Sequence, residues 1–398
     1  MMRTSHFRTL LAGAALVTLA SPAFAVDGAD LVAKLNATYA TNGFTIGYSN
    51  VAVDGSTVTL EGTELKATGT EKPIKLGDVT LEGVEEDGKG GYTIETVQFQ
   101  DVNVTEADST VTAKDIALNG VSVPGTVVAG TLDSLMMYET ATAGPVTVTN
   151  KGKEVFSMSG LEANVTRLDG DTGLEFDATL SDLKADLSTV EDPKAKEALA
   201  KLNLQTLQGG VTMSGSWELA SGKIAVDEYA FDVKDVGRLN LTLELSGYTL
   251  AFLTGMQEAM KAAEANPNKD EANAAMGMSM MGLVQQLTFN GASLSFEDAS
   301  ITKKLLDYAG SEQGVTGDQL AQSLKGLVPI MIAQLNMPDL QNQISAAVNT
   351  YLDDPKSITI SAEPKEPVPF PMIMGAAMGA PNTIPQVLGV TVTANDEM

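Results

Sequence analysis

The chain has 398 residues, 43% hydrophobic and 19% charged, with a net charge of −26 and no cysteine. Its apolar content is ample for a core and excludes wholesale disorder, and its acidity excludes long-range attraction to nucleic acid or anionic head groups. The single histidine, His6, falls in an N-terminal leader, so a processed chain lacks the groups for Ser-His-Asp or Cys-His catalysis and for the usual zinc sites.

Residues 1–25 have the three parts of a secretory signal peptide. Arg3 and Arg8 are the basic region, Thr9 to Ala20 the apolar region, and Ala23-Phe24-Ala25 the small-x-small cleavage site. Cleavage after Ala25 predicts a periplasmic protein, and no later stretch has the length and polarity of a transmembrane helix. Without disulfides, such a protein has to be held by its core.

Asp30 to Tyr39 reads as an amphipathic helix with Leu31, Leu35 and Tyr39 on one face, stopped by Asn42-Gly43. Strands are expected from Phe44 to about Val128. They carry a recurring unit: apolar, any, apolar, any, Asp or Gly, apolar, any, apolar. Copies begin at Ile74, Val97, Val111, Ile116, Phe156, Ala178, Leu287 and Leu294, where composition alone gives about two. Each half alternates with period two, the mark of a strand with one buried face. The three-residue step between halves would swap faces in a straight strand, and a β-bulge at the Asp or Gly restores the first face. The expected fold is α+β and mainly β: a long coiled antiparallel sheet with β-bulges, open as a groove or closed as a sandwich or barrel. The five-residue period of Tyr92, Ile94, Val97, Phe99, Val102 and Val104 also fits a β-solenoid.

Gly130 to Gly144 is less patterned and reads as a joint in the sheet. Strands resume over Val146 to Leu187, a helix runs from Pro193 to about Leu202, and strands cover Val211 to Leu250. A central helical hairpin, Leu253 to Ala265 and Asp270 to Leu287, turns at Asn266-Pro267-Asn268. The C-terminal region is mostly helical. Thr316 to Gln319 matches a capping box for a helix presenting Leu320, Leu324, Leu327, Met331 and Leu335, and Pro338 opens another. Glu363 to Pro371 reads as extended and Leu388 to Val392 as a closing strand. The divisions expected after the leader are 26–135, 136–250, 251–287 and 288–398.

The apolar sheet face is the main candidate site, with Val97, Phe99, Val102, Val104, Leu118, Phe289, Leu294 and Phe296 as lining residues for a lipid or other hydrophobic ligand. Methionines 276, 278, 280 and 281, Met276-Gly-Met278-Ser-Met280-Met281, are soft ligands suited to Cu(I) and equally suited to flexible apolar filling. Asp169-Gly-Asp171-Thr-Gly173 has calcium-loop character but lacks the full spacing. Nothing in the pattern calls for a cofactor, and no catalytic motif is found, which makes a non-enzymatic protein the expectation. The partners this implies are a hydrophobic ligand or an envelope protein docked at a sheet edge or at the helical tail.

Leu76-Gly-Asp-Val-Thr-Leu-Glu-Gly-Val84 and Phe296-Glu-Asp-Ala-Ser-Ile-Thr-Lys-Lys-Leu-Leu306 resemble the sheet repeats of AsmA-like envelope proteins of Gram-negative bacteria, and those of other exported β-repeat proteins. The resemblance implies an elongated, groove-shaped sheet concerned with moving or organising phospholipid between membranes. The chain departs from AsmA-like proteins in its cleavable leader and shorter length, which would make it a soluble accessory rather than a bridge. No functional residue carries over.

Overall fold

The computed structural model describes residues 26–396 apart from 42, 68, 69, 71, 129, 136, 137 and 334–336. The leader, the Asn42 stop and Leu335 lie outside the described residues. The chain is mainly β, and all twenty strands among the described residues join one antiparallel sheet that does not close into a barrel. Antiparallel pairing excludes the solenoid.

Helix α1 (Gly28–Thr41) leads into β1 (Phe44–Gly47) and β2 (Asn50–Asp54), which lie end to end along β3 (Thr57–Ala67). After β4 (Ile74–Glu86), four long strands are each interrupted in the middle. These are β5 (Tyr92–Phe99) with β6 (Val102–Glu106), and β7 (Ser109–Ala113) with β8 (Ala117–Val123). Next come β9 (Thr140–Ala143) with β10 (Val146–Asn150), and β11 (Lys153–Met158) with β12 (Gly160–Arg167). Unbroken strands follow: β13 (Gly173–Asp186), β14 (Thr206–Glu218), β15 (Lys223–Val233), β16 (Gly237–Ser246) and β17 (Thr288–Asp298). The sheet ends with β18 (Ser357–Ala362) and β19 (Val368–Pro369) on β17, and β20 (Val390–Ala394) on β18. With end-to-end segments counted as one, every strand therefore lies beside its neighbour in the chain. Thr140 to Ala143, expected in a joint, instead pairs with both β8 and β12 and carries the sheet straight through.

An antiparallel meander sends its connections alternately to two rims. One rim carries the hairpin α3 (Leu250–Ala265) and α4 (Lys269–Val284), and also α8 (Phe370–Gly379) and α9 (Ile384–Val387). The opposite rim carries α2 (Pro193–Leu202), α5 (Ile301–Glu312), α6 (Gly317–Ala333) and α7 (Pro338–Asp353). The capping box of α6 is formed: Gln319 N–H donates to Thr316 Oγ1 at 3.2 Å, and Thr316 N–H donates to Gln319 Oε1 at 2.9 Å. Two expectations are corrected. Leu327 and Met331 do not pack but stand exposed, and the extended segment expected up to Pro371 gives way to α8 at Phe370. There a proline in the first helical turn has its φ already set for a helix.

Both outer strands are capped by a side-chain amide. Asn36 of α1 accepts from Ile46 N–H through Oδ1 at 2.8 Å and donates through Nδ2 to Ile46 O at 3.2 Å. At the far edge, Val392 N–H of β20 donates to Gln343 Oε1 of α7 at 3.1 Å. Each amide takes the place of a further strand, a common defence of sheet edges.

Candidate functional site

The three-residue step can be followed across strands. In β14, Leu207, Gly209, Val211 and Met213 alternate without interruption and so share a face. Their partners in β13 are Ala185, Leu183, Leu180 and Ala178, with the extra residue between Leu180 and Leu183. Asp182 absorbs it in the left-handed region at φ 50°, and its Oδ2 accepts from Ser159 Oγ of the neighbouring interrupted strand at 2.8 Å. Asp115 (φ 51°) and Gly77 (φ 76°) serve other copies in the same way, and Asp78 Oδ1 accepts Gly62 N–H at 2.8 Å. The last copy differs. Its Asp298 ends β17 and accepts Thr302 N–H in the first turn of α5 at 2.8 Å.

Direct cross-strand partners share a face. From Ala185 the partners run to Phe156, Val148, Val111 and Val104. From Ala178 they run to Ala163, Ala141, Leu118 and Val97. Val97 and Val104 therefore look to the same side, although their separation of seven residues, with its one three-residue step, would put them on opposite faces of a straight strand. In the other direction the row continues from Ala178 through Met213, Tyr229, Leu241, Leu294 and Ile360 to Val392. Val97 pairs back to Leu81, Val58 and Val53. A single apolar row thus crosses the sheet from β2 to β20. Phe296 lies in a parallel row with Leu239 and Ile358, and Phe289 in one with Leu245 and Val368.

The row is covered from Val58 to Val97, bare over β15–β18, and buried again at Val392. Leu31, Val32 and Leu35 of α1 are buried against Val58, Leu60, Val79, Leu81 and Val97, each leucine contributing about 1.5–3 kcal/mol. Beneath the last turns of α1 an apolar cavity of about 190 Å3 remains, lined by Leu35, Tyr39, Leu60, Val79, Phe99 and Leu118 among others. Burial pushes the Tyr39 phenol up to about 12. At the other end of α1, Tyr92 Oη donates to Asp30 Oδ2 at 2.7 Å and Lys34 lies 4.9 Å over the Tyr92 ring. The hydrogen bond from Lys34, then that from Tyr92, holds the Asp30 carboxyl below its usual range. Further along, Leu250 and Leu253 of α3 pack on Leu174 and Trp217, and Trp217 Nε1 donates to Tyr248 O at 2.8 Å.

Over β15–β18 the cover is missing, before Val392 of β20 is buried again. Tyr229, Phe231, Leu239, Leu241, Leu294 and Ile360 are each 36–48% exposed although all lie on the apolar face. Of the residues singled out in the sequence, Val97, Phe99 and Leu118 line the cavity. Val102 and Val104 lie beyond it, with Val104 exposed, and Phe289, Leu294 and Phe296 lie on the bare stretch. Small residues at Ala141, Ala163 and Ala178 join the two halves; Ala163 and Ala178 fall in copies of the recurring unit, while Ala141 gave no sequence signal, since alanine is at home in any environment.

The methionines of α4 do not converge. Met276 and Met280 are half-buried beside buried Ala272, while Met278 and Met281 stand exposed on the other side of the helix. In the Asp169–Asp171 turn, Asp171 Oδ1 accepts from Arg167 Nη1 at 3.4 Å, so that carboxylate has a cationic partner. Among the described residues no group of three or more His, Cys, Asp or Glu side chains is placed to hold a metal ion. The chemistry of the face is therefore that of apolar burial.

A family model described as "Uncharacterized protein" matches residues 230–395, the portion running from within β15 through α3 to α9 and on into β20. No curated protein matches the chain.

Proposed function

We propose that this is a non-enzymatic periplasmic protein of a Gram-negative envelope that binds or carries a hydrophobic ligand, a lipid or acyl chain, along the helix-bearing face of its sheet. The observation that supports this most strongly is the unbroken apolar row with its uncovered stretch from Tyr229 to Ile360. Contiguous exposed apolar surface of this kind marks a binding site more often than it marks a neglected surface. Strands spaced by about 4.8 Å make the face on the order of 60 Å long, roughly twice the hydrocarbon thickness of a bilayer. A ligand could therefore occupy it at more than one position. The signal-peptide pattern of residues 1–25 and the resemblance to AsmA-like proteins agree with the reading.

Mass spectrometry of organic extracts from the purified chain tests it. Phospholipid or fatty acid is expected at close to stoichiometric yield. If the extracts are empty and the stripped protein takes up no fluorescent acyl probe, the reading is overturned.

A further inference from the structure

We propose that α4 and α8 together form a membrane-docking rim that seats in the surface of a zwitterionic phospholipid bilayer, a site separate from the apolar face. Residues 272–296 and 367–395 contain no Asp, Glu, Lys or Arg, and they are the two longest such stretches of the chain. They meet in space. Phe370 N–H donates to Leu287 O at 3.0 Å, and Val368 pairs with Phe289.

Both helices leave large apolar side chains in the open. No residue of α8 is buried, Met372 and Met378 are 56% and 85% exposed, and Met278 and Met281 of α4 are 70% and 61% exposed. Met372 and Met378 project about 120° apart around α8. A helix docked on a protein shows one apolar stripe and a polar remainder. One that is apolar all round belongs in a core or in lipid, and α8 is not in the core. Its 10 residues are half the length needed to cross a bilayer, so the seat is shallow. Methionine suits it, since its unbranched thioether adapts to a fluid surface. The rest of this acidic chain is repelled by anionic lipid, which selects zwitterionic head groups.

Flotation of the full chain with phosphatidylethanolamine–phosphatidylcholine vesicles tests the proposal. The protein should float with the vesicles, equally at low and high salt, and less when phosphatidylglycerol is added. Two double variants, Met372→Glu with Met378→Glu and Met278→Glu with Met281→Glu, should each lower the bound fraction by at least about tenfold. Both are checked for an unchanged circular dichroism spectrum, and either one suffices if the other fails to fold. Leu327→Glu with Ile330→Glu, on α6 at the opposite rim, should leave binding unchanged. Failure of the unaltered chain to float, or an equal loss in the α6 variant, overturns the docking rim. Lipid in organic extracts is a separate readout: a chain that floats but yields none sinks only the ligand reading, and one that yields lipid but never floats sinks only this one.

Discussion

At the scale of single residues, polar groups do work that apolar packing cannot. Tyr39 closes one side of the cavity under α1, and burial raises its phenol to about 12. Because the folded value lies above the ordinary one near 10, the stability it confers is complete below pH 10 and is lost as the pH climbs towards 12. Tyr92 is raised as well, so Tyr39→Phe should remove part of the alkaline loss of stability. Urea midpoints measured across that window check this, and identical pH profiles for the two proteins would refute it. Asn36 acts differently, by bonding both the N–H and C=O of Ile46. Asn36→Ala should cost about 1–2 kcal/mol and leave an edge open to pairing. Sedimentation should then show association that grows with concentration, and a strictly monomeric variant would argue against the capping role.

At the scale of elements, the recurring unit acts as a spacer. Deleting Asp182 should turn Leu183 and Ala185 to the opposite face and bring Lys184 and Asp186 onto the apolar one. It should also break the pairing of β13 with β11, at a cost of about 2 kcal/mol or more. An unchanged denaturation midpoint would mean that the extra residue is not needed. The bulges, the capping box of α6 and the closing strand at Val392 were legible in the sequence because each is a local pattern over a few residues, and so was the longer pattern of the hairpin α3–α4. What was not legible depends on distant partners. Thr140 to Ala143 looks like a loop until β8 and β12 flank it. Phe370 and Pro371, the end of the stretch that reads as extended, instead open α8, whose start Leu287 anchors. The row itself was legible at Val97 and Phe99 but not at Ala141, whose face is fixed only by cross-strand register. That α1 would cover the first part of the face and leave the second bare could not be read from either stretch alone.

At the scale of the whole molecule, one apolar surface is divided between a covered, structural part and an uncovered part. Lysine at Leu241 or Leu294 would place a charge in the middle of the bare stretch without disturbing the cluster under α1. Either substitution should lower recovered lipid by about tenfold while leaving the thermal midpoint within a few degrees. Undiminished lipid in both variants would place the ligand elsewhere, with the cavity beside Tyr39 as the next location to test.

The order of strands in space, which follows their order in the chain, has a consequence for how such a protein is made and how it changes. Each new hairpin needs only the edge left by the one before it, so a chain that emerges N-terminus first can consolidate in step with its emergence. By the same logic, duplication or loss of a single hairpin changes the reach of the molecule while its remaining contacts stay as they were, as in other assemblies whose units touch only their nearest neighbours.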